Sequence, residues 1–437
     1  MNTNHKILAA AVLAASVSLP TYAQLVLEEV IVTAQKRETG LQDTSIAITA
    51  LTGDMLDDLN INAAGDYEAV VPSLSVRDEP SRLFLRGVGR VTNTLGTEPG
   101  IALYRDGIYT SELNELNRSS SLTTERIEVL RGPQGTLFGR NATGGAINIT
   151  SKRPTEDFEH HARATVGNYD RLDWGLSSSG PITDNLGYRV YATQQTRDGY
   201  IDNIGGEDIW DQENTSYGAQ LSWDVTDTLN IWFSYVSDET DDIRNGLLAN
   251  GTLITPYLTD LPTQDGFFFS EQYGWDKENP TVRDPYKVDY NDALRTRDDD
   301  SNKFATHVTW DLQAVTVKYI GSYFENDWTA EDGDFGFTSN PDVRGLEYSG
   351  QFQDTQSHEV QVLSMHDSPL QWVAGVYYYE SDKEQPYIAS TPTADPLEYV
   401  IKPDDAVNPL AELTHNPGRR QVDQYTSLET ESFAVYA

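Results

Sequence analysis

The 437-residue chain contains no cysteine, which removes disulfide frameworks, thiolate metal sites and cysteine nucleophiles together. Positive charge is scarce too: 31 Lys and Arg stand against 68 Asp and Glu, for a formal net charge of −37. Phosphate repels such a surface, so nucleic acid is not expected as a partner. Beyond the N-terminus there is no run of about 20 apolar residues, so no helical membrane span is expected. That absence leaves strands untouched, because a transmembrane barrel carries its apolar band on every second residue. Of the seven histidines, His160 and His161 are adjacent and would face opposite sides of a strand, a poor pair for a metal. The many carboxylates show no motif around an acid/base pair. No catalytic residue, metal site or cofactor is therefore expected.

What is present begins with a targeting segment. Lys6 supplies positive charge, Ile7 to Leu19 form an apolar run, and Pro20-Thr21-Tyr22-Ala23 ends on a small residue. This is the three-part pattern of a secretory signal cleaved after Ala23, so residues 1–23 are assigned to export. A short β-prone segment follows, Leu27 to Ala34, with no pairing partner evident nearby. Residues 24–40 are taken as this segment and its linker. From 41 to 154 the chain has the texture of a mixed α/β unit. Asp54–Leu59 and Ala64–Val71 suit short helices; Leu74–Val76, Leu83–Leu85, Ile101–Tyr104, Arg126–Leu130 and Ala146–Thr150 suit strands, with Gly and Pro at the joints.

From 155 to 437 the texture changes to alternating segments. Tyr217, Ala219, Leu221, Trp223 and Val225 share one face; Leu229, Ile231, Phe233 and Tyr235 resume the pattern; Phe304, Thr306, Val308, Trp310 and Leu312 repeat it opposite Lys303, Ala305, His307 and Asp311. Short turns alternate with long polar stretches, the longest about Glu239 to Ser301, as in an outer-membrane barrel. The 24 Tyr and 8 Trp fit aromatic girdles at two membrane interfaces. A soluble β-sandwich would also alternate, but structureless loops beyond about 15 residues are uncommon in compact domains. Acidic clusters such as Asp298, Asp299 and Asp300 read as solvated loop faces, with cation bridging to lipid headgroups as the sharper alternative. The reading counts about ten strands, the last from Thr430 to Ala437.

One stretch carries a resemblance. Glu125-Arg126-Ile127-Glu128-Val129-Leu130-Arg131-Gly132-Pro133-Gln134-Gly135-Thr136-Leu137-Phe138-Gly139-Arg140-Asn141-Ala142-Thr143-Gly144-Gly145-Ala146-Ile147-Asn148-Ile149 closely resembles the plug signature of TonB-dependent receptors. Leu85-Arg86-Gly87-Val88-Gly89 and Tyr104-Arg105-Asp106-Gly107-Ile108-Tyr109 are similar to earlier family motifs in the expected order, and Glu28-Glu29-Val30-Ile31-Val32-Thr33-Ala34 resembles the TonB box. The resemblance implies a mainly β protein: an N-terminal mixed α/β plug domain inside an antiparallel transmembrane β-barrel. It implies TonB, outer-membrane lipid and a small-molecule or chelate ligand as partners. Import of a scarce nutrient would be its work, a ferric siderophore or similar chelate in the first place. A passive channel and an exported glycan-binding β-protein are the rivals.

The glycine-rich run lacks the Gly-Lys-Ser/Thr ending of a phosphate cradle and reads as a tight backbone path. A plug in a polar lumen needs polar anchors, and Arg86, Arg126 and Arg131 are candidates to bridge wall carboxylates; local pairing within the plug, where Glu125 and Glu128 are close in sequence, is equally open. The resemblance places loops before Leu83 and after Tyr109 on the outer side, nominating Arg77, Asp78, Arg82, Tyr109, Glu112, Asn114, Glu115 and Asn117 as ligand contacts. Only Gln24 to Leu27 separate signal and box, so no N-terminal signalling domain is expected. Ten strands leave an open edge, which is costly in lipid, so the chain is expected to be a piece of a longer protein with its barrel incomplete.

Overall fold

The computed structural model describes residues 31–32, 39–40, 42, 44 and, from 46 onward, all but 78–81, 91–94, 96, 111–114, 204–206, 244–286, 289–295, 333–345, 365–369 and 393–418. The signal segment, Glu28 to Val30, Thr33 and Ala34 lie outside the described residues. Two compact units are present, 1–45 and 46–437. In the first, β1 (Ile31–Val32) pairs antiparallel with β2 (Thr39–Gly40), Ile31 opposite Gly40. The segment read as lacking a neighbour therefore has one a few residues downstream.

The second unit opens with β3 (Ile48–Thr52) and the helix Gly53–Asp58. Thr52 is the reason the helix starts there: its hydroxyl accepts from Met55 N at 3.3 Å, and Asp54 lies in the first turn. A 3₁₀ turn covers Ala64–Ala69. Then come β4 (Leu74–Arg77), β5 (Arg82–Leu85), β6 (Val88–Gly89), β7 (Ile101–Arg105), β8 (Ile108–Thr110), β9 (Thr124–Arg131) and β10 (Gly145–Ser151). Five of these form one sheet, in the order β3-β9-β10-β7-β8, and β4-β5-β6 form another.

Two motifs quoted above are hairpin turns. Arg86 and Gly87 (φ 53° and 79°) join Leu85 to its partner Val88, and Asp106 and Gly107 (φ 53° and 79°) join Arg105 to Ile108. Positive φ at both central residues is the two-residue turn that matches strand twist, and glycine enters it without steric cost. The glycine-rich run connects β9 to β10, with Gly145 opposite Arg131 and a short helix at Gly135–Phe138 between them. A β-carbon on Gly145 would lie 2.3 Å from Leu130 O, so no larger residue fits there. The central strand β10 is buried almost throughout, as expected for a strand covered on both faces. Ile101, Leu103, Ile127, Val129, Ile147 and Ile149 pack with Leu51, Leu56, Tyr67 and Leu85 into the core of this unit. Each such side chain contributes about 1.5–3 kcal/mol by leaving water.

The remaining strands make a ten-stranded antiparallel wall in the order β11-β12-β13-β15-β16-β18-β19-β20-β21-β22. They are β11 (Glu159–Val166), β12 (Leu172–Thr183), β13 (Leu186–Arg197), β15 (Gln212–Thr226), β16 (Leu229–Ile243), β18 (Thr296–Leu312), β19 (Val315–Asp332), β20 (Leu346–Ser364), β21 (Val373–Pro392) and β22 (Arg419–Tyr436). The pieces β14 (Asp202–Asn203) and β17 (Lys287–Val288) pair with each other outside it. The described sheet is open, with β11 and β22 as its edges. Among the described residues no helix is long and apolar enough to cross a membrane, a fact that says nothing about strands.

Register delivers the alternation expected from sequence. Leu221 stands opposite Phe233, and Tyr235 opposite Phe304, with the latter rings 4.7 Å apart. Leu221, Trp223, Phe233, Phe304, Trp310 and Tyr323 are exposed on the outer face. The opposite face carries Gln220, Asp238, Asp299, Ser301, Asn326 and Gln353, all buried. Two expectations need correction. The polar stretch Glu239–Ser301 is partly strand, because β16 runs to Ile243 and β18 starts at Thr296. Within it the acidic triplet is no solvated loop: period two turns Asp299 inward, where it is fully buried, between Asp298 and Asp300. The last strand is also longer than read, beginning at Arg419.

Candidate functional site: the plug–wall interface

The N-terminal α/β unit meets the inner face of the wall through charged and aromatic contacts. At their centre, Arg105 at the end of β7 donates from Nε to Glu115 at 2.5 Å. Glu115 is in turn paired with Lys303 on β18, and Lys303 lies 3.3 Å from Asp238 on β16. Arg118 sits 3.0 Å from Asp299 and 3.9 Å from Asp238, and donates to Ser301 Oγ at 3.1 Å. Asp238 also accepts from Ser216 on β15 at 2.6 Å. Three cations and three carboxylates thus alternate in a buried, neutral network spanning both halves of the molecule. Burial pushes the Glu115 carboxyl up, but Lys303, Arg105 and Arg118 more than reverse this and hold it well below the usual carboxylate range.

A second anchor lies at the tip of the Asp106-Gly107 turn. Asp106 accepts from Ser151 N (2.9 Å) and Ser151 Oγ (2.7 Å), and Arg153 approaches it at 3.6 Å. Burial raises the Asp106 carboxyl; Arg153 and the two Ser151 hydrogen bonds outweigh it, leaving a net lowering. The Arg153 guanidinium also stands 3.5 Å from the ring centroid of Trp232 on β16, a cation–π contact that fixes the chain where it leaves β10 for the wall. A third contact is aromatic: Tyr109 and Tyr379 on β21 meet edge to face at 5.7 Å, with Arg140 over Tyr379 at 5.0 Å and paired to Glu98 at 2.7 Å. The fourth is at the β11–β13 side. Arg163 pairs with Asp57 on the helix, Arg189 donates to Leu122 O at 2.6 Å, and Leu122 fills the notch left by Gly175, where even a β-carbon would come within 2.3 Å.

Several expectations change here. Arg126 does not reach the wall: it pairs with Glu125 (2.8 Å) and Glu128 (2.9 Å), the local alternative. Arg86 lies beside Gly132, and among the described residues neither Arg86 nor Arg131 forms an ion pair. Arg118 and Arg153, neither nominated as a wall bridge from sequence, reach the wall instead, Arg118 through Asp238 and Asp299 and Arg153 over the Trp232 ring, while Arg105 stays within the plug on Glu115. Of the ligand nominees, Glu115 and Tyr109 are buried in the interface instead of facing outward. Asn117 accepts from Ala64 N at 2.6 Å and lines a cleft treated below. Arg82 is half-buried in β5. The Arg77 side chain, Asp78, Glu112 and Asn114 lie outside the described residues.

A mixed α/β unit ion-paired to the inner face of an antiparallel strand wall is the arrangement of a plug against part of a barrel wall. Residues 40–146 match the TonB-dependent Receptor Plug Domain. The chain is 30% identical over 187 residues to the pesticin receptor of Yersinia pestis, covering 41% of this chain and 27% of that receptor. It is 26% identical over 215 residues to the vitamin B12 transporter of Vibrio vulnificus, covering 47% and 34%. Among solved structures, the ferric yersiniabactin uptake receptor of Yersinia pestis superposes with a TM-score of 0.61 at 17% identity, covering 89% of this chain and 62% of that one. Residues 40–146 thus carry the plug domain of TonB-dependent receptors, and the chain as a whole has the fold of such proteins. Its matched segment spans about a quarter to a third of these curated relatives.

Proposed function

We propose that this chain is the plug and part of the wall of an active importer that carries a scarce nutrient, foremost a ferric siderophore or similar chelate, across the bacterial outer membrane. The observation that carries the reading is the buried ion network from Glu115 and Arg118 to Lys303, Asp238 and Asp299. A plug fastened this firmly blocks passive flow, so transport requires work to move it, and the outer membrane has no nucleotide supply. Relatives named for pesticin, ferric yersiniabactin and vitamin B12 fit import, and their diversity leaves the nutrient open.

In this reading Glu28 to Ala34 is the TonB box, in which an extended segment adds as a strand to TonB and transmits force through main-chain hydrogen bonds. The apolar outer face faces outer-membrane lipid. Residues 1–23 direct export, 41–154 form the plug, and 155–437 the wall. The test is energised uptake in cells. Val32→Pro removes a backbone donor and fixes φ, so uptake is expected to fall to the level seen without proton-motive force while binding persists. Uptake that ignores both the proline and the proton-motive force would instead favour the passive channel.

A further inference from the structure

A narrow cleft of about 80 Å³ separates plug residues 117–122 from the inner face of β12, β13, β15 and β16. At roughly 10–15 Å³ per water, it accommodates a short file of waters or one arm of a larger molecule. It lies near the strand ends from which the long connections run: Gln195 is two residues from the end of β13 and Asn214 two from the start of β15. Its wall carries the neutral hydrogen-bonding side chains Thr193, Gln195, Asn214, Ser216 and Thr240 beside the carboxylates Asp173, Asp238 and Glu239. Gln195 Oε1 accepts from Gln212 Nε2 at 3.2 Å and from Asn214 Nδ2 at 3.5 Å. Among the described residues, that leaves the Gln195 amide hydrogens and the Asn214 carbonyl oxygen unspent beside the cleft.

The charges around it are already spent. Arg118 is held by Asp299, Arg163 by Asp57, and Arg171 by Asp173 at 2.6 Å. Arg197, at the end of β13, donates to Trp210 O and lies over the Tyr200 ring. Asp57, Asp173 and Asp238 line the cleft, so an anionic group entering it would meet carboxylates and no uncommitted cation among the described residues. A polar site of this kind selects by supplying hydrogen bonds and penalising unmatched charge.

Resting on the import reading above, we propose that this cleft is a subsite for one arm of the incoming ligand, and that the arm is uncharged and rich in amide or hydroxamate and hydroxyl groups. Gln195 and Asn214 are the recognising residues. The class of nutrient it favours is a neutral ferric hydroxamate over an anionic catecholate chelate of the same metal.

The experiment measures equilibrium binding of two probes to the purified full-length protein: a neutral ferric trihydroxamate and a trianionic ferric tris-catecholate. The trihydroxamate is expected to bind at least about tenfold tighter, and Gln195→Leu with Asn214→Leu to weaken it about tenfold while leaving the thermal midpoint of the protein unchanged. Tighter or equal binding of the tris-catecholate, binding of neither probe, or trihydroxamate binding indifferent to the double substitution overturns the subsite. The import reading fails separately: it falls if Val32→Pro leaves energised uptake unaltered, whichever probe binds.

Discussion

Removing the positive end of the Arg118–Asp299 pair tests whether the ion network holds the plug. Arg118→Met keeps much of the aliphatic packing but leaves Asp299, fully buried, without its guanidinium. Breaking one partner of a buried pair typically costs about 3–5 kcal/mol, because the remaining charge stays desolvated. Since about 1.4 kcal/mol is a factor of ten, the population with the plug displaced should rise by roughly two to three and a half orders of magnitude. The absence of cysteine makes the assay clean. Ser121→Cys places a single, nearly isosteric thiol at a buried plug position beside the wall, and its modification rate by a thiol reagent reports displacement. In Arg118→Met the rate should climb at least about a hundredfold. The double variant Arg118→Met with Asp299→Leu removes both charges and should recover most of the protection. A single variant labelled as slowly as its parent, or a double labelled as fast as the single, would refute the argument that a buried carboxylate deprived of Arg118 drives the opening.

Acid should act late. Glu115 and Asp106 are held below the usual carboxylate range, so their contribution is complete above the ordinary value of about 4 and is lost only as pH falls through the lowered folded values. The thermal midpoint should be insensitive to these groups from pH 8 to 5 and drop below about 4, with a shallower drop in Glu115→Gln; an unchanged profile in that variant assigns the acid loss elsewhere. Gly107→Val forces a β-branched residue into φ 79° next to Ile320 and is expected to destabilise by about 1–3 kcal/mol, whereas Gly107→Asn, which tolerates that region, should recover most of it in denaturant melts. Phe233→Arg on the outer face should cost about 2–4 kcal/mol in a bilayer and far less in a soluble fold. Equal effects in lipid and in detergent-free buffer would count against membrane contact for that face.

Chain texture was enough to locate the halves and the wall. Period-two alternation assigned Leu221, Phe233 and Phe304 to one face and Lys303 and His307 to the other, because side-chain direction in a strand is set locally. Glycines at the joints were legible too, but the two-residue hairpins that set Arg86 and Asp106 as well at positive φ were seen only in the structure. Short-range signals failed at the interface. Arg118 and Asp299 are 181 positions apart, and nothing near either hints at the other. For Arg126 the sequence left wall anchor and local pairing equally open, and the two neighbouring carboxylates claimed it.

The sequence alone therefore determined the plug motifs and which side chains share a strand face, because those follow from motif and periodicity. Only the tertiary structure decided which charges fasten the plug. Partner choice in a buried network depends on which side chains the strand register brings within about 4 Å and which are desolvated together. Glu115, nominated as a ligand contact, became an anchor for that reason: Lys303 and Arg105 converge on it from opposite sides of the interface.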